Sequence, residues 1–160
     1  RGGWLARCLR CEREHYPRTD PAVIVAVGEG TRLLMGRQAS WPARRYSVIA
    51  GFVEPGETLE QAVSREVMEE TGIRITGCRY LGSQPWPFPT SLMLGFIADA
   101  GSAEIRGSDE LEEARWFERE EIVAALDAEA RGEPESGPFL PPARISIAHW
   151  LVRQWVAATT

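Results

Sequence analysis

Residues Ala22–Val27 form an unbroken apolar run, β-branched at Val23, Ile24, Val25 and Val27. A run of this length between Asp20-Pro21 and Gly28-Glu29-Gly30 predicts a buried strand. Arg32–Arg37 reads as its hairpin partner. A polar, Pro-containing loop, Gln38–Arg45, then leads to a short strand over Tyr46–Ala50. The pattern changes to a helical period over Thr58–Thr71. Pro55 and Gly56 stand where a type II turn wants them. Thr58 and Gln61 fit a capping box, and Gly72 a left-handed cap. Strands are expected around Arg79–Gln84, Leu92–Ala98 and Ala114–Phe117, with a loop over Gly101–Asp109. A helix is expected at Glu118–Leu126, a mobile Gly/Pro/Glu-rich stretch at Ala130–Phe139, and a final amphipathic helix at Pro141–Ala157 with Pro near its start. Strands and helices mix without regular alternation, so the fold class is α/β, a mixed sheet covered by helices.

Composition narrows the function classes. The 160 residues are 44% hydrophobic and 26% charged, enough for one domain with a packed core. The 18 basic residues against 23 acidic ones leave a net charge of −5. Such a chain is a poor non-specific binder of nucleic acid or anionic membrane. An anionic substrate would need local positive charge, and a divalent metal supplies it. No apolar run approaches the ~18–20 residues of a membrane span. The N-terminal stretch is polar and Arg-rich, without the apolar core of a secretory leader, so a cytoplasmic location is expected. Cys8 and Cys11 are spaced C-x2-C, which in a reducing compartment reads as metal or redox before disulfide.

The segment Gly51–Ile73 carries the chemistry. Glu66, Glu69 and Glu70 lie at i, i+3 and i+4 and share one helix face. They repel one another, and they stand toward the helix C-terminus, where the dipole disfavours negative charge. A bound hard cation relieves both penalties, and clustered carboxylates suit Mg²⁺ or Mn²⁺. Taken alone, three glutamates also read as a solvated acidic face.

The full segment fits G-x5-E-x7-R-E-U-x-E-E-x-G-U, with U aliphatic, at every fixed position. The chain therefore resembles the Nudix hydrolases. The resemblance implies an α/β/α sandwich with a mixed β-sheet, in which this segment forms a loop–helix–loop. Glu66, Glu69 and Glu70 would be metal ligands in the catalytic centre. Arg65 and Glu57 would hold the loop–helix–loop by charge-assisted hydrogen bonds, and Gly51 and Gly72 would serve backbone geometry. Glu54 and Glu60 read as solvated.

Ser83-Gln84-Pro85-Trp86-Pro87-Phe88-Pro89-Thr90-Ser91 alternates prolines with aromatics. By itself it fits a polyproline ligand or a stiff surface loop. Placed after the box, it is similar to the array of the NADH pyrophosphatase branch. Proline pre-orders such a loop, and its aromatics can stack on planar rings. The resemblance implies substrate contacts at Gln84, Trp86 and Ser91, at Ala148, and at Phe52 and Tyr16, which would flank the nicotinamide ring. Phe52 also reads as core. Glu110 corresponds to a branch glutamate near the metals; otherwise it is a solvated loop acid.

Cys8, Cys11, His15, Tyr16 and Pro17 look like the second knuckle of the branch's zinc ribbon and its following arm. Cys8 and Cys11, with His15, give at most three ligands where closed zinc sites have four. The expectation is a ribbon and arm remnant over residues 1–18, beginning inside the ribbon, before a Nudix domain over 19–160. Zinc would require an upstream knuckle; two free thiols are the alternative. Cys78 reads as a small buried apolar residue, His149 as structural, and Trp41, Trp116, Trp150 and Trp155 as core or interface anchors.

The implied activity is metal-dependent hydrolysis of the diphosphate bond of NADH or NAD⁺ to nicotinamide mononucleotide and AMP. RNA would enter only as an NAD-capped substrate. A homodimer that shares its active site is expected, with six tryptophans an independent reason. A broader ADP-ribose or dinucleoside-polyphosphate hydrolase, and a catalytically silent nucleotide-binding regulator, are the alternatives.

Overall fold

The computed structural model of the chain describes residues 3–102 and 104–159. Residues 1 and 2 of the expected arm, position 103 of the expected loop and residue 160 of the expected domain lie outside them. A two-stranded hairpin, β1 (Ala6–Arg7) and β2 (Glu14–His15), precedes a six-stranded sheet. The sheet contains β3 (Asp20–Glu29), β4 (Arg32–Arg37), β5 (Ile49–Phe52), β6 (Ile75–Trp86), β7 (Ser91–Ala100) and β8 (Glu113–Glu118). The helices are α1 (Leu59–Thr71), α2 (Arg119–Ala130) and α3 (Ile147–Ala158). The main path runs β6-β7-β3-β4-β8, with β5 on β3. Pairing of β3 with β7 is parallel, and its pairings with β4 and β5 are antiparallel. The mixed sheet is therefore as expected.

β3 is apolar without interruption because it is buried on both faces. Val23, Val25 and Val27 join Leu34, Ile49, Phe96, Val63 and Val67 beneath α1. Ile24 and Ala26 point the other way, to Leu33, Met35, Phe117, Leu151 and Trp155 beneath α2 and α3. Two cores on opposite faces of one sheet make the α/β/α sandwich.

The structure moves several boundaries. The strand expected at Tyr46–Ala50 is Ile49–Phe52, because Gly51 and Phe52 pair with Val23 and Ala22. Arg45 and Ser47 instead make single bridges, to Leu140 and Gly36, and the Tyr46 N–H donates to the Leu140 carbonyl at 3.1 Å. β6 extends to Trp86, so half of the proline array is strand, with Pro85 on a sheet edge that tolerates a missing N–H. The final helix starts at Ile147, not Pro141. Pro141 and Pro142 are buried in an extended loop, and the Ser146 hydroxyl caps the helix by accepting from the His149 N–H. The stretch expected to be mobile contains the turn Pro134–Ser136 and is anchored by Phe139, 1% exposed. Cys78 is half-buried, not buried.

Candidate active site

The loop–helix–loop is closed at both ends by its own sequence. The Glu57 N–H donates to the Glu54 carbonyl at 3.1 Å, with Gly56 at φ +89° in the turn. The Thr58 hydroxyl accepts from the Gln61 N–H at 3.2 Å, and the Gln61 side chain accepts from the Thr58 N–H at 2.9 Å. At the far end Gly72 is left-handed, φ +70°, a conformation a β-carbon would strain.

Arg65 ties this frame together. It donates to both Glu57 oxygens, at 2.8 and 3.0 Å, and to the Phe52 carbonyl at 2.9 Å. Its remaining nitrogen reaches Glu66 and Glu69, each at 2.9 Å. One guanidinium thus fixes the loop before the helix, the end of β5 and two carboxylates. Glu57, foremost among these partners, raises the Arg65 pKa and lowers in turn below the usual carboxylate range. Glu54 and Glu60 are exposed, as expected.

The carboxylates differ sharply in environment. Glu66 and Glu70 are 8% and 7% exposed, while Glu69 is open to solvent. The Glu66 carboxylate lies over Gly51, where no other residue leaves room for it. Burial pushes the Glu66 carboxyl upward against the pull of Arg65, with Glu69 and Glu110 adding repulsion. Glu70 is pushed up to about 7, first by burial and then by Glu66, Glu110 and Glu69. Glu110, on an exposed loop, therefore lies in the field of the helix carboxylates. Among the described residues no hydrogen bond or ion pair holds Glu70, and no three acidic, His or Cys side chains form a ready-made cage. A buried carboxylate without a donor, beside three others, is costly in its charged form, and carboxylate oxygens are the ligand type that hard cations take.

A cavity of about 380 Å³ lies on the α3 side of the sheet. Gln84, Trp86 and Ala148 line it, together with Trp41, Tyr46 and Met93. Successive β5 residues face opposite sides of the sheet: Ala50 packs on the α3-side core, while Gly51 faces Glu66. Gln84 also anchors the approach to α3, donating to the Ile145 carbonyl at 2.7 Å and accepting from the Ile147 N–H at 2.6 Å. Trp86 packs edge-on to Phe88, centroids 5.3 Å apart. Ser91 opens β7 opposite Trp86 and Asp20, outside the cavity lining. Phe52 is 58% exposed, so it is not core. Tyr16 is exposed too, its hydroxyl donating to Glu14 at 3.2 Å.

At the N-terminus the Cys8 N–H donates to the Arg13 carbonyl and the Glu12 N–H to the Cys8 carbonyl, both at 2.9 Å. Backbone N–H groups of Cys11 and Arg10 lower the Cys8 thiol pKa. Both thiols are free, and His15 faces solvent on β2. His149 is structural, 2.8 Å from Glu129 through Nε2. Sequence reasoning missed Trp41, Arg45 and Tyr46 as cavity wall; two aromatics bounding a polar loop were the available signal.

A profile of the NUDIX domain matches residues 17–141. The chain is 44% identical to the NAD-capped RNA hydrolase NudC of Mycobacterium bovis, over 98% of this chain and 51% of that protein. It is 43% identical to the NAD-capped RNA hydrolase NUDT12 of Macaca fascicularis, over 97% of this chain and 35% of that protein. The chain thus spans about half or less of the length of these relatives. A NUDIX hydrolase from Nitrosomonas europaea superposes with a TM-score of 0.63 at 22% identity, covering 84% of each chain, and shares the fold.

Proposed function

This chain belongs to the Nudix family, and from that premise we propose that it hydrolyses the diphosphate bond of NADH or NAD⁺, giving nicotinamide mononucleotide and AMP. The observation that carries the reading is the pair of buried glutamates, Glu66 and Glu70, on α1, together with an aromatic-walled cavity on the α3 side of the same sheet. The names of the NudC and NUDT12 relatives support the substrate, and they extend the proposal to NAD caps on RNA, where the same bond is cut.

Glu66, Glu69, Glu70 and Glu110 would hold Mg²⁺ or Mn²⁺. When bound, the cation neutralises charge on the diphosphate oxygens and acidifies a water. Water attacks one phosphorus, the bond to the bridging oxygen breaks, and a carboxylate takes the water's proton. Glu69 and Glu110 suit that step, being exposed to solvent where Glu66 and Glu70 are not. Arg65 holds Glu66 and Glu69 in place. Gln84, Trp86 and Ala148 would seat the adenosine half in the cavity, with Ser91 beside it on β7. Phe52 and Tyr16 would flank the nicotinamide, Tyr16 reaching across a homodimer. Their exposure as large side chains supports a covering partner. Cys8 and Cys11 would give two ligands to a zinc site, within a 1–18 arm ahead of the 19–160 domain. Free thiols fit a reducing, cytoplasmic setting.

A panel of NADH, NAD⁺, ADP-ribose, a dinucleoside polyphosphate and NAD-capped RNA tests the reading. Preference for the nicotinamide dinucleotides or the capped RNA supports it. Equal turnover of all would make the enzyme a broad hydrolase, and binding without turnover a silent regulator.

A further inference from the structure

Three arginines carry a buried Nε with no hydrogen-bond partner: Arg37, Arg45 and Arg115. Two of them are neutralised nearby. Arg37 pairs with Glu112, and Arg115 lies 3.6 Å from Glu121. Arg45 is different. Among the described residues no carboxylate pairs with it, and its guanidinium makes one hydrogen bond, from Nη1 to the Pro141 carbonyl at 3.3 Å. It is half-buried in the wall of the aromatic cavity, beside Trp41, Tyr46 and Trp86.

Its backbone is fixed there. The Arg45 N–H donates to the Pro42 carbonyl at 3.1 Å, and the residue bridges Leu140 across the loop leading to α3. A half-buried guanidinium that no carboxylate neutralises is costly unless an anion reaches its accessible nitrogens. The guanidinium fork matches a phosphate in two-point geometry. The diphosphate to be cleaved would lie at the carboxylates beyond β5, so a phosphate at Arg45 would be a different one.

We propose that Arg45 recognises a phosphate ester on the ribose of the nucleoside seated in this cavity, so that the chain favours ligands phosphorylated at that sugar's 2′ or 3′ oxygen. The proposal rests on the reading above, which puts adenosine in the cavity. A 2′-phosphate belongs to a phosphorylated dinucleotide, and a 3′-phosphate to an RNA chain continuing from the adenosine.

Calorimetric titration of the 160-residue chain in Mg²⁺ buffer with AMP, adenosine 2′,5′-bisphosphate and adenosine 3′,5′-bisphosphate tests this. One bisphosphate should bind about tenfold or more tighter than AMP, as a charge-assisted pair predicts. Which isomer wins identifies the source of the phosphate. Arg45→Met should bring the ratio to near unity, and Arg45→Lys should keep part of it, with circular dichroism confirming that both variants fold. Should Arg45→Met not fold, the unsubstituted ratio and the Lys variant decide. AMP binding with no gain from either bisphosphate, or a gain that survives Arg45→Met, would overturn the role of Arg45 alone. Absence of binding by all three nucleotides would overturn the adenosine cavity along with it.

Discussion

The carboxylate of Glu66 packs over the α-carbon of Gly51, in the volume that a β-carbon there would occupy. The glycine is thus a cradle for a carboxylate, joining the end of β5 to the middle of α1. Arg65 holds the same junction from the other side through the Phe52 carbonyl. Gly51→Ala should leave the secondary structure intact and displace Glu66. Misplacing a catalytic group by an ångström costs about 10²-fold. Steady-state hydrolysis of NADH checks this, and an unchanged kcat would show that the Glu66 position is unimportant.

Among the described residues no donor meets buried Glu70, so removing its charge should act in opposite senses on fold and function. Glu70→Gln should stabilise the metal-free protein, by about 1–3 kcal/mol for a buried group relieved of desolvation. It should also abolish most of the thermal shift caused by Mn²⁺. Scanning calorimetry with and without Mn²⁺ reads both effects. A destabilised metal-free variant, or a preserved Mn²⁺ shift, would count against Glu70 as a ligand.

Glu57 provides a pH signature. Its folded pKa lies below the ordinary 4.5, chiefly through the Arg65 hydrogen bonds. Stability from this carboxylate is therefore present above the unfolded pKa and is lost as pH falls through the folded one. Glu57→Gln should melt several degrees below the parent at neutral pH. That gap should close on acidification below 4.5. A gap independent of pH would mean that packing, not the ion pair, explains the loss.

Phe52 is 58% exposed, so its loss should not touch the core. Phe52→Ala should keep the melting temperature and raise KM for NADH more than for ADP-ribose, which lacks the nicotinamide. Ring stacking is worth roughly 0.5–1.5 kcal/mol beyond burial, a several-fold difference. Tyr16→Ala should behave alike if a second copy supplies that ring, and its effect should fade on dilution as dimers part. Equal KM changes on both substrates would remove Phe52 from the nicotinamide site.

What was legible in the sequence was local. The Thr58 cap, the Gly72 stop and the shared face of the glutamates follow from spacing along one helix, and the structure keeps all three. The burial of β3 likewise follows from its unbroken, β-branched apolar run. Long-range closure was not legible. The displaced β5 answers to Ala22 and Val23, and the late start of α3 to a buried Pro141-Pro142 loop whose neighbour Leu140 bridges Arg45. The cavity escaped for the same reason: its wall joins a loop near Trp41, the β6 edge and the start of α3. Nor could spacing distinguish buried Glu70 from exposed Glu69, since that difference comes from packing around the helix.

The most direct test is the identity of the products. The purified chain incubated with NADH and Mg²⁺ or Mn²⁺ should release reduced nicotinamide mononucleotide and AMP in equal amounts, resolved by chromatography and mass. Glu69→Gln should slow this by at least ~10², because it removes a metal ligand or the base while the fold is kept. Cleavage at the glycosidic bond, releasing the nicotinamide ring and ADP-ribose, would contradict diphosphate hydrolysis, as would intact NADH at saturating metal.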